Sequence, residues 1–226
     1  MTAGAPGTIA GNRVLLPFAG YNARFWRNVF PGGFSRVKRT AGWESNLGHQ
    51  AGIEGDFRVI VTEEQLKKRV REIARQISHD YNGRTIYAVC VMEQGFVFMA
   101  DLIRELDGPV VCQFIRPNFN EQGATREIFF SPEPVVSNGH VLLVEGLVDS
   151  GVTTEFLMHT LLSRGADSVK LVTLLDRQSA RRVSLQPDYF GFLVDDSYMV
   201  GYGLGSPQLG RNLPCIGTVV RKAEAQ

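Results

Sequence analysis

Apolar residues recur at helical spacing in one part of the chain and form uninterrupted runs in four others. A capping-box sequence, Thr62-Glu63-Glu64-Gln65, precedes residues spaced along one helix face, which predicts an amphipathic helix over 62–80. The residues of that face are Leu66, Val70, Ile73 and Ile77. Continuous apolar runs with β-branched residues predict buried strands. These runs span 86–92, 109–115, 141–145 and 169–175.

Helical segments alternate with these strands. Two more helices are predicted over 96–106 and 154–164, whereas 116–138 is polar, contains three prolines and predicts irregular structure. Strands that alternate with helices are typical of a parallel α/β sheet. In such a sheet, ligands bind at the carboxyl ends of the strands, so we expect the chemistry there.

The first 55 residues differ from the remainder in composition. Residues 1–55 hold six Arg or Lys and two acidic residues, whereas 56–226 hold 18 basic and 21 acidic residues. Seven aromatic residues also lie in 1–55, more than a disordered tail normally has. We therefore predict an N-terminal extension, 1–55, that docks onto other protein subunits, and a domain over 56–226. A plain Gly-rich tail is the alternative.

No acidic residue precedes Glu44, and an acid-free, Arg-bearing N-terminus is typical of mitochondrial targeting segments. This pattern predicts a mitochondrial location, with the cytoplasm as the alternative, because serine is scarce in the segment.

Composition excludes several classes of protein. No apolar run reaches the length of a transmembrane helix, and a net charge of +1 gives no general attraction to nucleic acid. The three cysteines are odd in number, which argues against a disulfide framework or zinc ribbon. Cys90 and Cys112 lie in apolar runs and are predicted to be buried, reduced thiols. The four histidines lack the spacing of metal ligands.

The loop after the strand over 141–145 has the residues of a phosphate site. Asp149, Ser150, Gly151 and Thr153 lie directly before a predicted helix, where backbone N–H groups and hydroxyls can cradle a phosphate. Glu145, just upstream, could meet sugar hydroxyls or a metal. The alternative is a simple helix N-cap turn that follows a strand.

Seven motifs between about 59 and 219 resemble the hypoxanthine-guanine phosphoribosyltransferases, which are type I phosphoribosyltransferases. The motifs are TEEQLKKRVREIARQIS, FVFMADLIREL, VLLVEGLVDSG, SVKLVTLLDR, PDYFGF, VGYGL and RNLPCIG. The resemblance implies a phosphoribosyltransferase-type parallel sheet flanked by helices, with a small hood. It also implies transfer of phosphoribose from phosphoribosyl pyrophosphate (PRPP) to a 6-oxopurine, with Mg²⁺.

Many positions to which the resemblance assigns ligand contacts keep a suitable side chain. It implies that Asp149 is the general base and that Glu145 binds the ribose hydroxyls. The remaining assignments are the 5′-phosphate for Ser150, Gly151 and Thr153, the purine for Tyr198 and Met199, and pyrophosphate for Arg211.

Four positions depart from the family pattern. Gly146 replaces the second ribose carboxylate, Glu93 replaces the lysine of the pyrophosphate loop, and Gly205 replaces the metal-binding aspartate. Arg177 replaces the purine-reading lysine, and Arg and Lys are not interchangeable at such sites. The Ser-Tyr pair of the family's mobile loop is also absent, since 117–120 reads Pro-Asn-Phe-Asn.

Two hypotheses follow from these departures. In the first, the chain is a pseudoenzyme that serves as a structural or accessory subunit of a larger assembly, mitochondrial if the N-terminus is a targeting segment. It retains weak binding of phosphate or a nucleoside monophosphate and holds no metal. In the second, it is an active purine-salvage phosphoribosyltransferase that makes a nucleoside monophosphate from PRPP and a 6-oxopurine with Mg²⁺. The first hypothesis is the one we favour from the sequence.

Overall fold

The computed structural model describes residues 56–119, 125–131, 136–206 and 210–220. The strands are β1 (Asp56–Val61), β2 (Ile86–Val91), β3 (Val110–Phe119), β4 (Thr125–Ser131), β5 (His140–Val148), β6 (Ser168–Asp176), β7 (Tyr189–Leu193), β8 (Met199–Val200) and β9 (Ile216–Val220). The helices are α1 (Glu63–Tyr81), α2 (Phe96–Glu105), α3 (Val152–Ser163) and a 3₁₀ turn (Gln178–Ala180). The predicted extension, 1–55, lies outside the described residues. Its docking role therefore stays a prediction.

The main sheet has six strands in the order β4-β3-β2-β5-β6-β7. The five parallel strands are β3, β2, β5, β6 and β7. Strand β4 pairs antiparallel with β3 at one edge. Helices α1 and α2 bury their apolar faces against one side of the sheet, and α3 buries its apolar face against the other. The parallel α/β sheet flanked by helices is therefore confirmed.

A second, antiparallel sheet forms the hood, with strand order β1-β9-β8. The sequence pattern does not predict its strands individually. They are short, and β8 has only two residues, so they give little periodic signal.

Helix α1 begins with the predicted capping box. The Thr62 hydroxyl accepts a hydrogen bond from the Gln65 backbone N–H at 3.3 Å, and the Gln65 side-chain oxygen accepts one from the Thr62 N–H at 2.8 Å. Asn82 ends the helix in the left-handed conformation, with φ of 47°. The predicted apolar face, from Leu66 to Ile77, is fully buried. Hydrophobic spacing and capping chemistry therefore specify this helix together.

Replacing Thr62 with Ala should lower the free energy of unfolding by about 1 kcal/mol, because Ala cannot accept the Gln65 N–H. Thr62→Ser keeps the hydroxyl and should cost much less. Urea denaturation of the two variants would measure the difference, and equal losses for Ala and Ser would contradict the capping role.

The predicted irregular segment, 116–138, is wrong in part. β3 continues to Phe119, and β4 pairs with it antiparallel, so that Pro117 lies opposite Ile128. Strand β2 pairs with β3 only as far as Ile115, which leaves one edge of β3 open beyond that point. Proline is tolerated in strands with such an open edge. The polar sequence of a sheet edge therefore resembles a loop.

Strand β5 also extends beyond the predicted 141–145. It continues to Val148 because Leu147 and Val148 pair with Leu175 and Asp176 of β6. Glu145 therefore lies within a strand rather than at its end.

The three thiols are free and differ in exposure. Cys90 and Cys215 are buried, as predicted for Cys90, but Cys112 is exposed, so that prediction is wrong for Cys112. Its neighbours Gln113 and Ile115 alternate with it and are buried. The helices lie mainly over β2, β5, β6 and β7 rather than β3, which leaves Cys112 uncovered. Within the described part of the chain, no helix is both long enough and apolar enough to cross a membrane.

Candidate functional site

A cavity of about 790 Å³ opens where β2, β3 and β5 approach their carboxyl ends. Its walls come from the loop after β2, from Arg116 and Pro117 on β3, from Glu145–Leu147 on β5, from the loop into α3 and from Arg211. The predicted phosphate loop and the ribose carboxylate therefore line one cavity. The parallel topology accounts for this, because it gathers loops that are distant in sequence at one edge.

The loop between β5 and α3 turns tightly into the helix. Gly151 has φ of +77°, and a Cβ at this position would lie 2.9 Å from a methyl group of Val183. The Val152 N–H donates to the Ser150 hydroxyl at 3.4 Å, and the Arg182 N–H donates to the Ser150 carbonyl at 2.9 Å. The loop is therefore held in place, and its first helical turn supplies N–H groups of the kind that bind phosphate.

Glu145 is a buried carboxylate on the floor of the cavity. The residue is 8% exposed, and its Oε1 atom has no hydrogen-bond partner. Burial raises the pKa of Glu145 to about 7, while a hydrogen bond with the Thr154 side chain and the positive charge of Arg181 act in the opposite direction. An orphaned buried oxygen of this kind is suited to a hydroxyl donor on a ligand.

Gly146 lies against the loop after β2. A Cβ at Gly146 would lie 2.5 Å from the Gln94 carbonyl oxygen and 3.1 Å from a methyl group of Leu204. Backbone therefore fills the space into which a side chain at this position would point. A second carboxylate carried on a Cβ at this position would meet the Gln94 backbone.

Glu93 forms ion pairs with two arginines at the cavity wall. Its Oε2 accepts from Arg211 Nη1 at 2.6 Å, and its Oε1 lies 3.2 Å from Arg116 Nη2. The hydrogen bond from Arg211, followed by the charge of Arg116, lowers the pKa of Glu93. In the sequence, Glu93 is a charge reversal, and no local pattern assigns a role to Arg116. Only the pairing of β3 with β2 brings Arg116 to this loop.

Arg177 uses three donor groups on three partners. It donates from Nη1 to Asp149 Oδ1 at 2.6 Å, from Nε to the Asp195 carbonyl at 2.7 Å, and from Nη2 to the Ser197 carbonyl at 2.7 Å. The predicted general base is thus held by the residue that replaces the purine-reading lysine.

The structure places every predicted site residue except Arg177 in the lining of one of two cavities. Those lining the first are Glu145, Asp149, Ser150, Gly151, Thr153 and Arg211. Tyr198 and Met199 line a second cavity, of about 720 Å³, beside the hood. Tyr198 is 58% exposed, whereas Met199 is buried. Their predicted contacts with a purine stay predictions.

The residues of the first cavity do not fit a protein-held Mg²⁺. Mg²⁺ is bound through one or two ionised carboxylates together with substrate phosphates and water. Of the three carboxylates that line the cavity, Glu93 and Asp149 are paired with arginines, and Glu145 has its pKa raised by burial. Gly205 offers only its carbonyl, which accepts from Arg211 Nε at 3.2 Å. Within the described ranges, no three His, Cys, Asp or Glu residues cluster as metal ligands.

Comparison with known proteins decides the family. Residues 60–206 match the family model described as a phosphoribosyl transferase domain. The hypoxanthine-guanine phosphoribosyltransferase of Bacillus subtilis is 32% identical over 166 residues, which cover 72% of this chain and 92% of that protein. The chain belongs to the hypoxanthine-guanine phosphoribosyltransferase family.

Solved structures of the hypoxanthine-guanine phosphoribosyltransferase family agree. The crystal structure of a Bacillus anthracis member superposes with a TM-score of 0.68 at 34% identity, covering 74% of this chain and 99% of that one.

A bifunctional TilS/HprT protein of Listeria innocua is 34% identical over 191 residues. That match covers 81% of this chain but only 30% of the bifunctional protein, so the chain spans about a third of that relative's length.

Proposed function

We propose that this member of the hypoxanthine-guanine phosphoribosyltransferase family binds a purine nucleoside monophosphate, or a similar phosphomonoester, without transferring phosphoribose. The observation that carries the proposal is the contact of the Gln94 carbonyl with Gly146, where a Cβ would approach to 2.5 Å. A second carboxylate at this position would therefore require the backbone of the loop after β2 to shift.

Binding is favoured by the parts of the site that remain. The start of α3 offers backbone N–H groups whose geometry does not depend on the substituted side chains. Glu145 lines the same cavity, and its buried Oε1 has no hydrogen-bond partner, so a ribose hydroxyl that reaches this oxygen would satisfy it. A sugar phosphate would thus find complementary groups at both ends.

Loss of transfer follows from the charges. As pyrophosphate leaves, negative charge must be stabilised by cations or a metal, and removing one such contact typically raises the barrier by about 3 kcal/mol. Arg211 is neutralised by Glu93, Asp149 is held by Arg177, and the carboxylates do not fit Mg²⁺. The two deficits in charge stabilisation, together with the pairing of the predicted base Asp149 with Arg177, would leave little rate.

Purified protein given PRPP, Mg²⁺ and hypoxanthine, guanine or xanthine should show no turnover above background, since the leaving group lacks its cations. A continuous absorbance assay of nucleotide formation would measure it, with the Bacillus subtilis relative as the positive control. A turnover near one per second, ordinary for an enzyme, would refute the non-catalytic part of the proposal.

The binding part is tested separately, by thermal unfolding with millimolar purine monophosphate. A ligand that binds the folded state raises the unfolding temperature by mass action. Thr153→Ala supplies the comparison, because Thr153 lines the cavity and the substitution removes its hydroxyl. This variant should be stabilised less by the ligand. No stabilisation of the unsubstituted chain would refute retained binding.

An active purine-salvage phosphoribosyltransferase is the second candidate. It is favoured by the placement of Glu145, Asp149 and the phosphate loop in one cavity. The accessory-subunit role rests on the four departures from the family pattern and on the composition of 1–55, and the mitochondrial location rests on 1–55 alone; both stay predictions.

A further inference from the structure

The first cavity has few cationic side chains. Of the described residues that line it, Arg116 and Arg211 are the cationic ones, and Glu93 is ion-paired with both. Each carboxylate oxygen serves a different arginine, at 3.2 Å and 2.6 Å. The single negative charge of Glu93 therefore offsets one of the two positive charges of this wall before any ligand arrives, and it contacts both guanidinium groups.

The pair of Glu93 with Arg211 is held in place from both sides. Arg211 also donates from Nε to the Gly205 carbonyl at 3.2 Å, which fixes its guanidinium. The Arg211 side chain is 21% exposed and that of Glu93 is 35% exposed. The low pKa of Glu93 keeps it charged at neutral pH. An anion that approaches Arg211 must therefore displace a carboxylate or lie beside it.

This arrangement distinguishes two kinds of phosphorylated ligand. A single phosphate needs only the N–H groups at the start of α3, which do not involve Glu93. A pyrophosphate group needs additional cations, and those lining the cavity are already paired with Glu93. Like charges placed together across an interface oppose binding strongly.

We propose that Glu93 is a specificity-determining residue that makes the cavity select phosphomonoesters over pyrophosphate-bearing ligands. The inference rests on the phosphate site of the proposed function. The Glu93 carboxylate competes with the second phosphate of a pyrophosphate group for Arg116 and Arg211.

The test is isothermal titration of the full chain, in EDTA, with inorganic pyrophosphate, PRPP and a purine nucleoside monophosphate. Glu93→Gln removes the charge but keeps the shape, and Glu93→Ala is a second variant should the first fold poorly. Both should bind pyrophosphate and PRPP about tenfold more tightly than the unsubstituted chain, with monophosphate affinity changed less than about threefold. Glu105→Gln, an exposed position at the far end of α2, is the matched control and should change neither.

A double variant, Glu93→Gln with Arg211→Gln, should lose the gain, because the released cation is then gone. The inference is overturned if the unsubstituted chain binds pyrophosphate as tightly as the monophosphate, or if Glu93→Gln leaves pyrophosphate affinity unchanged. It is also overturned if the substitution strengthens all three ligands equally, which indicates a general charge effect. If the unsubstituted chain fails to bind monophosphate while Glu93→Gln gains pyrophosphate affinity, the proposed function falls and the role of Glu93 stands.

Discussion

Glutamine in place of Glu145 should stabilise the protein by about 3 kcal/mol at pH 8.5, but by only about 1 kcal/mol at pH 5. Glu145 is buried with one oxygen unpartnered, so its ionised form is unfavourable in the folded state. Gln has the same shape and carries no charge, so it avoids that cost. Substituting a residue of the candidate site is therefore expected to increase stability.

The sign follows from the pKa of Glu145. Burial raises it to about 7 in the folded protein, above the value of roughly 4.3 for an unfolded glutamate. The folded state therefore binds the proton more tightly between these two pH values. The favourable contribution of the neutral carboxyl is complete below the unfolded pKa and is lost as pH rises through about 7. The benefit of Gln grows over the same window.

Urea denaturation of the Glu145→Gln variant and the unsubstituted chain at pH 5 and pH 8.5 would measure this difference. Glu105→Gln controls for the removal of one negative charge at an exposed position. A pH-independent effect of Glu145→Gln would show that Glu145 titrates normally, and the assignment of a buried neutral carboxyl would then be wrong.

Adding a single methyl group at Gly146 should lower the free energy of unfolding by about 3 kcal/mol, at the upper end of the cost of overpacking. The added Cβ would lie 2.5 Å from the Gln94 carbonyl, which is backbone and cannot rotate away like a flexible side chain. Gly146→Asp should cost at least as much, since it contains the same Cβ. Restoring the family's second carboxylate by one substitution should therefore fail.

Thermal or urea unfolding of both Gly146 variants would test this expectation. Similar losses for Ala and Asp would identify the steric contact as the cause. If Gly146→Ala leaves the free energy of unfolding unchanged, the loop after β2 moves aside readily. In that case, the non-catalytic proposal loses the observation on which it rests.

The sequence predicts the framework of this protein well. The capping box at Thr62 and the apolar face of the following residues specify helix α1 from a short stretch of sequence. Continuous apolar runs identify β2, β5 and β6. Local patterns of this kind suffice wherever burial and periodicity coincide. The hood strands and β4 are edge or short strands with mixed polarity, so no local pattern marks them.

The departures at Gly146 and Glu93 are visible in the sequence, but their physical meaning is not. Arg211 lies 118 residues from Glu93, and their hydrogen bond exists only because the fold closes the chain around the cavity. The contact of Gln94 with Gly146 likewise joins the loop after β2 to strand β5. Charge reversal at Glu93 therefore suggested repulsion of a ligand, whereas the structure adds an internal ion pair.

Because the three thiols differ in exposure, their rates of alkylation in the unsubstituted chain report on local unfolding. The thiolate is the reactive form of cysteine, and burial raises the pKa of Cys90 to about 12, so an alkylating reagent meets Cys112 first. Cys90 lies in β2, two residues before the loop that presses on Gly146. Its modification rate, normalised to that of Cys112, therefore reports how often the central strand separates beside the cavity, without any label added by mutation.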